Sequence, residues 1–142
     1  NLGPEPLGNN FSGDYLFKKS RKKSLPIKNF IMDSKIVVGV GNIYANEALF
    51  MAGIRPTKKS GLISKVKFEE LSHAIVITLR EAIEAGGTTL KDYTNAEEAP
   101  GYFKKELKVY DRGGENCVKC NKKLKEIRQA NRQTVYCSTC QN

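Results

Sequence analysis

Apolar residues recur at three- and four-residue steps through Phe68, Leu71, Ile75, Leu79, Ala82 and Ile83. This stripe predicts a helix that Ser64 starts and Gly86-Gly87 ends. Upstream, the run Ile43-Tyr44-Ala45-Asn46-Glu47-Ala48-Leu49-Phe50-Met51-Ala52 predicts a second helix, with Asn42 at its N-cap, Gly53 at its end and Pro56 preventing its resumption. Ile43, Leu49, Phe50 and Met51 leave it few polar positions, so it should be largely buried. A further helix start is read at Ser24-Leu25-Pro26-Ile27, a hydroxyl ahead of an early proline, with the helix running through Lys28 to Met32 and stopping near Asp33-Ser34. Between these helices, Ile36-Val37-Val38 resembles a short buried strand, but Gly39 and Gly41 argue for a compact turn.

The pattern changes near the end of the chain. Thr134-Val135-Tyr136 is β-prone, and Lys125-Glu126-Ile127-Arg128 can pair with it across a turn near Ala130-Asn131-Arg132. Asn131 tolerates positive φ, and the hairpin would carry Arg132 at its tip. The chain therefore reads as mainly α with a small β appendage: a helical domain over residues 1–103 and a hairpin domain over 104–142.

With 142 residues, the chain has room for one domain and a small appendage. Its 39% apolar and 27% charged residues are too ordinary for a wholly disordered chain. No run approaches the ~18–20 apolar residues of a membrane helix, so no membrane partner is expected. The opening Asn1-Leu2-Gly3-Pro4 lacks both a Met and a signal peptide, which predicts a piece of a longer chain. The net charge is +9 and uneven: residues 18–60 carry net +8 and 104–142 net +6, whereas 61–103 carry net −3. Two basic blocks fit a polyanion such as nucleic acid; a solvated lysine-rich surface fits them equally.

The cysteines are more specific. Cys117, Cys120, Cys137 and Cys140 form two C-x2-C pairs separated by 16 residues. That spacing reads as a four-thiolate site for one structural Zn2+. Two tight turns aim two sulfurs each at one tetrahedral centre and leave no open position. Two disulfides or four free thiols are the alternatives, and disulfides require an oxidising compartment. From Lys108 onward the large apolar residues are only Val109, Tyr110, Val118, Leu124, Ile127, Val135 and Tyr136, so the metal should supply much of the folding free energy of this tail. His73 falls among the less apolar positions of its helix and reads as a surface residue.

Gly39-Val40-Gly41-Asn42 at a helix start suggests an anion site, where unpaired amides meet the positive end of the helix dipole. Lys28 and Lys35 lie close by in sequence, which makes a phosphate cradle a reasonable expectation.

Taken together, DSKIVVGVGNIYANEALF over residues 33–50, Gly86-Gly87-Thr88-Thr89-Leu90, Gly101-Tyr102-Phe103 and the terminal Cys-Ser-Thr-Cys-Gln resemble bacterial formamidopyrimidine-DNA glycosylase. Leu2-Gly3-Pro4-Glu5-Pro6-Leu7 resembles the segment after that enzyme's N-terminal domain, and the likeness runs the length of the chain. It implies a helix-two-turns-helix (H2TH) module followed by a β-hairpin zinc finger, both clamping damaged double-stranded DNA. It further implies that Asn42, with the surrounding amides of Gly41 and Ile43, holds a phosphate near the lesion. Lys28 would lie at the backbone by the damaged nucleotide, and Arg132 would contact the bent strand. Residues 89–102 match the loop that closes over the everted base. Three departures stand out: Ser34 where glutamine is common, Asp111 where glycine is usual, and Asn131 where glycine is frequent.

The family's nucleophile is an N-terminal proline in the other half of the enzyme. Pro4, Pro6, Pro26, Pro56 and Pro100 are all internal amides here, so no catalytic residue is assigned, and these residues are expected to be inactive alone. The parent would excise oxidised purines such as 8-oxoguanine and formamidopyrimidines and then nick the abasic site. The implied setting is a bacterial cytoplasm at the nucleoid, as a monomer, with the N-terminal catalytic domain of the same polypeptide as partner. The alternatives are an endonuclease VIII-type fragment, a stand-alone nucleic-acid-binding zinc protein, or a zinc-ribbon protein-interaction module.

Overall fold

A computed structural model describes residues 1–86 and 107–142. The elements in chain order are α1 (Gly13–Ser20), α2 (Ile27–Met32), α3 (Asn42–Ala52), a single 3-10 turn (Ser60–Leu62), α4 (Lys65–Gly86), β1 (Lys125–Gln129) and β2 (Arg132–Tyr136).

Helix α4 is the platform on which α1 and α3 pack. Its stripe is buried as expected: Phe68, Leu71, Ile75, Leu79 and Ala82 are fully covered. Phe68 meets Phe17 of α1 and Phe30 of α2 edge to face, with ring centroids 6.4 and 6.1 Å away. The Ser64 hydroxyl accepts the Lys67 N–H at 3.2 Å, so it caps α4 as the sequence predicts. His73 is exposed. No helix among the described residues is long and apolar enough to cross a membrane.

Helix α1 is an element the apolar pattern does not reveal. It has eight residues, and the Ser12 side chain caps it by accepting the Tyr15 N–H. Helix α2 starts differently from expectation. Ser24 is exposed and Pro26 occupies the N-cap, with no side-chain cap. The first amides of α2 are satisfied from a distance instead: Ile27 N–H donates to Lys58 O at 2.7 Å and Lys28 N–H to Pro56 O at 3.2 Å. A loop about thirty residues downstream therefore does the work of a cap.

Residues 34–41 form the predicted turn, not a strand. Gly39 sits at φ 84°, and the Tyr15 hydroxyl donates to Ile36 O at 2.6 Å, tying the turn to α1. Ten of the eleven residues of α3 are buried; Met51 is the exception, 41% exposed. Gly53 ends the helix at φ 74°, a left-handed cap that favours glycine.

Strands β1 and β2 pair antiparallel with Gln129 opposite Arg132, which leaves Ala130-Asn131 as a two-residue turn at φ 50° and 62°. This is type I′ geometry. Arg132 therefore begins β2 beside the tip. Asn131 and Asp111 (φ 63°) both occupy left-handed positions that suit glycine, and Asn and Asp are the residues that best tolerate them in its place. The tail's core is not its own. Phe50 of α3 packs with Val109, Leu124, Val135, Cys117 and Cys137, whereas Val118 is 56% exposed. The expected loop at 89–102, Gly87 and the boundary at 103/104 lie outside the described residues.

Candidate metal centre and nucleic-acid interface

The four thiols converge. All Sγ atoms lie within 4.8 Å of one another, with Cys120 and Cys137 3.5 Å apart and Cys117 and Cys140 4.0 Å apart. A disulfide needs about 2.05 Å. Tetrahedral zinc with Zn–S bonds of about 2.3 Å places its sulfurs about 3.8 Å apart. The donor set therefore fits one structural zinc ion and excludes two disulfides in this geometry. Backbone amides support the thiolates: Lys119 N–H points at Cys117 Sγ and Cys140 N–H at Cys137 Sγ, both at 3.4 Å.

The finger is fastened to the helical module by polar side chains of α2 and α3. In an antiparallel ladder, alternate residues turn their N–H and C=O groups away from the partner strand. On β2, Gln133 and Val135 do so, facing α3. Asn42 and Asn46, one turn apart on that helix, meet them. Asn46 Oδ1 accepts Val135 N–H at 2.8 Å, and its Nδ2 donates to Asn42 O at 2.9 Å and Gln133 O at 3.3 Å. Asn42 Nδ2 donates to the same Gln133 oxygen at 3.0 Å. Lys28 Nζ adds a third bond to it at 3.3 Å and a shorter one, 2.7 Å, to Thr134 Oγ1. The next residue of α3, Glu47, accepts the N–H groups of Lys108, Val109 and Tyr110 at 2.7, 2.9 and 2.8 Å. Burial raises the Glu47 carboxyl above its ordinary range, opposed by these three bonds. At the other end of the finger, Arg55 Nη2 donates to Ser138 O at 2.8 Å and its guanidinium lies over Tyr136, 5.2 Å from the ring centroid. Gln141 Nε2 donates to Ile54 O at 2.9 Å.

Against this geometry the predicted binding residues divide. Asn42 is not the N-cap of α3: Gly41, in extended conformation, is, and the Asn42 amide is spent on the hairpin. The anion-site expectation keeps its backbone half. The first helical bond runs from Ala45 N–H to Gly41 O, so the amides of Asn42, Ile43 and Tyr44 lie ahead of the helical ladder at the positive end of the dipole. The Ile43 side chain belongs to the core. Lys28 is buried, 2% exposed, beneath the hairpin. It lines a cavity of about 230 Å3 with Asn29, Met32, Asp33, Gln129, Ala130 and Arg132. The cavity thus brings Lys28 and Arg132 together. Lys35 is exposed, and no described contact joins its side chain to the others. Asn46, Glu47, Gln133 and Arg55 carry the interface yet escape a reading based on apolar periodicity, because their partners across it lie 61 to 105 residues away in sequence.

Burial, with the charges of Arg132 and Arg128 nearby, pulls the Lys28 amine from 10.5 down to about 8. The native state then releases this proton earlier than the unfolded chain does. Its stabilising contribution is present above pH 10.5 and is lost as pH falls through 8. Lys28→Met should abolish that rise in stability between pH 8 and 10.5, read as the difference between wild-type and variant urea midpoints across the window.

Two family models match the chain. One, described as the formamidopyrimidine-DNA glycosylase H2TH domain, covers residues 2–94. The other, a zinc finger found in FPG and IleRS, covers residues 114–142. A formamidopyrimidine-DNA glycosylase of Cellvibrio japonicus is 58% identical over 140 residues, which is 99% of this chain and 52% of that protein. One of Idiomarina loihiensis is 57% identical with the same coverage. Among solved structures, Lactococcus lactis Fpg in complex with DNA containing an abasic site superposes with TM-score 0.85 at 33% identity, covering 99% of this chain and 52% of that one. MutM (Fpg) of Thermus thermophilus gives TM-score 0.85 at 36% identity, over 99% and 53% of the two chains. The chain spans about half the length of the curated relatives it matches.

Proposed function

Because the chain belongs to the formamidopyrimidine-DNA glycosylase family, we propose that its two modules act together as the DNA-holding surface of a bifunctional glycosylase/AP lyase that removes oxidised purines. The observation that carries this reading is the cavity bordered by both Lys28 and Arg132, side chains from separate modules, with Asn42 at the amide-rich start of α3 bonded to the same Gln133 carbonyl as Lys28. A duplex backbone laid along this seam would meet Arg132 and a helix N-terminus, with the charge of the buried Lys28 beneath them. Such contacts go to phosphates: they position the strand and carry no base code. Protonated Lys28 favours the phosphate, so binding should weaken as pH rises through about 8. Zinc takes no part in the chemistry; its four thiolates hold the hairpin that carries Arg132. Solved Lactococcus lactis relatives bound to abasic-site and FAPY-dG DNA support damaged duplex as the partner.

With about four phosphates neutralised, log K for duplex binding should fall with log[salt] at a slope near −3.6. Arg132→Ala should make that slope shallower by ~0.9 and weaken all sequences alike, as fluorescence anisotropy across a salt series would record. An unchanged slope removes Arg132 from the surface. The chemistry is a separate matter. With all five of its prolines internal amides, this 142-residue chain should by itself form no efficient covalent adduct with 8-oxoguanine duplexes under borohydride reduction. Strong trapping that maps to an internal lysine would move the chemistry into this chain.

A further inference from the structure

We propose that Asn46 is a positioning residue for DNA binding, setting the place of Arg132 through the outer edge of β2. The inference rests on the phosphate reading of Arg132 given above and adds a residue that no part of that reading uses.

Asn46 is 2% exposed, so it has no access to a ligand of its own. Both ends of its amide are nevertheless committed across the module boundary. Oδ1 takes the Val135 N–H, and Nδ2 is shared between Asn42 O and Gln133 O. Gln133 directly follows Arg132, and Val135 stands two residues further along the same edge. One side chain therefore holds a donor and an acceptor two residues apart on the strand. Such a grip fixes register as well as proximity, because a slip of one residue would bring opposite Asn46 residues whose backbone groups face β1 instead. The hairpin is otherwise a two-stranded sheet, too small to hold its own orientation in water. Cross-strand bonds to β1 fix its shape but not its direction relative to α3.

Asn46 also touches the other half of the surface. Its Nδ2 bonds the backbone carbonyl of Asn42, the first residue of α3, whose amide side chain donates to Gln133 O. The start of α3 and the start of β2 are therefore held by one amide group. Moving one relative to the other changes the spacing between the helix amides and Arg132, and a rigid phosphate backbone accepts only a narrow range of spacings. Lys28 grips the same carbonyl but also lines the cavity, so its loss would mix positioning with charge. Asn46 separates the two, being neutral and away from the cavity lining.

The test is a double-mutant cycle read in the salt dependence of binding to undamaged duplex, using the zinc-loaded full chain. Asn46→Leu keeps side-chain size and removes all three bonds. One equivalent of zinc and an unchanged helical spectrum establish that it folds. In the wild-type background Arg132→Ala should lower the slope by ~0.9; in the Asn46→Leu background the same substitution should change it by far less. Should Asn46→Leu lose zinc, Asn46→Asp takes its place under the same criteria, since it retains the acceptor for Val135 and gives up both donated bonds. An Arg132→Ala effect of equal size in both backgrounds overturns the positioning role and leaves the phosphate reading intact. No Arg132→Ala effect in the wild-type background overturns the phosphate reading itself, and the positioning role with it.

Discussion

Cys117→Ser, or removal of zinc by a chelator, should unfold the finger and leave the helices standing but less stable. Metal analysis of the wild-type chain should give one zinc per chain. Structural zinc contributes folding free energy of order 10 kcal/mol in finger peptides, and nothing in this tail replaces it. Of its own large apolar residues only Val109, Leu124 and Val135 are fully buried, and they share their cluster with Phe50 from α3. That borrowed ring widens the expectation drawn from the sequence, in which the metal supplies much of the folding free energy of the tail. Loss of the finger uncovers Phe50 and strips Asn46 and Lys28 of their partners on the hairpin. The helical module should therefore keep its far-UV spectrum but melt earlier. A variant that retains near-wild-type stability and one zinc per chain would contradict this assignment.

Glu47→Ala should be the most damaging single substitution outside the metal shell. It orphans the N–H groups of Lys108, Val109 and Tyr110 where the chain enters the finger. A buried donor left without a partner costs about 1–3 kcal/mol, so the loss should reach several kcal/mol in urea unfolding. Glu47→Gln should be milder, since one oxygen remains, but its amide protons now face N–H donors. A Glu47→Ala loss below about 1 kcal/mol would mean that these amides find water instead.

The long elements and the metal site are legible in the amino-acid sequence by itself. Helix α4 follows from its apolar steps and the Ser64 cap, the hairpin from Asn131 and the β-prone run, and the metal centre from cysteine spacing alone. These signals are local. What stays hidden depends on pairs far apart in sequence. Asn42 has every mark of an N-cap, yet its amide serves Gln133, 91 residues away. Ser24 likewise yields to Lys58 and Pro56, which satisfy the first amides of α2 from another loop. Helix α1 has a local signal, Ser12 ahead of an acidic first turn, but only Gly13, Leu16 and Ser20 of its eight residues are buried, too few for a periodic stripe. Asn46 and Glu47 fall within a helix read for its apolar residues, and no periodicity marks a buried polar side chain.

The central claim is that the two modules form one phosphate-binding surface. Its most direct test is the salt dependence of duplex binding by the zinc-loaded chain, measured by anisotropy at about pH 7. The claim predicts a linear fall of log K with log[salt] at a slope near −3.6, matched on undamaged and lesion-bearing duplexes. A slope near zero, or no measurable binding at low salt, would contradict it.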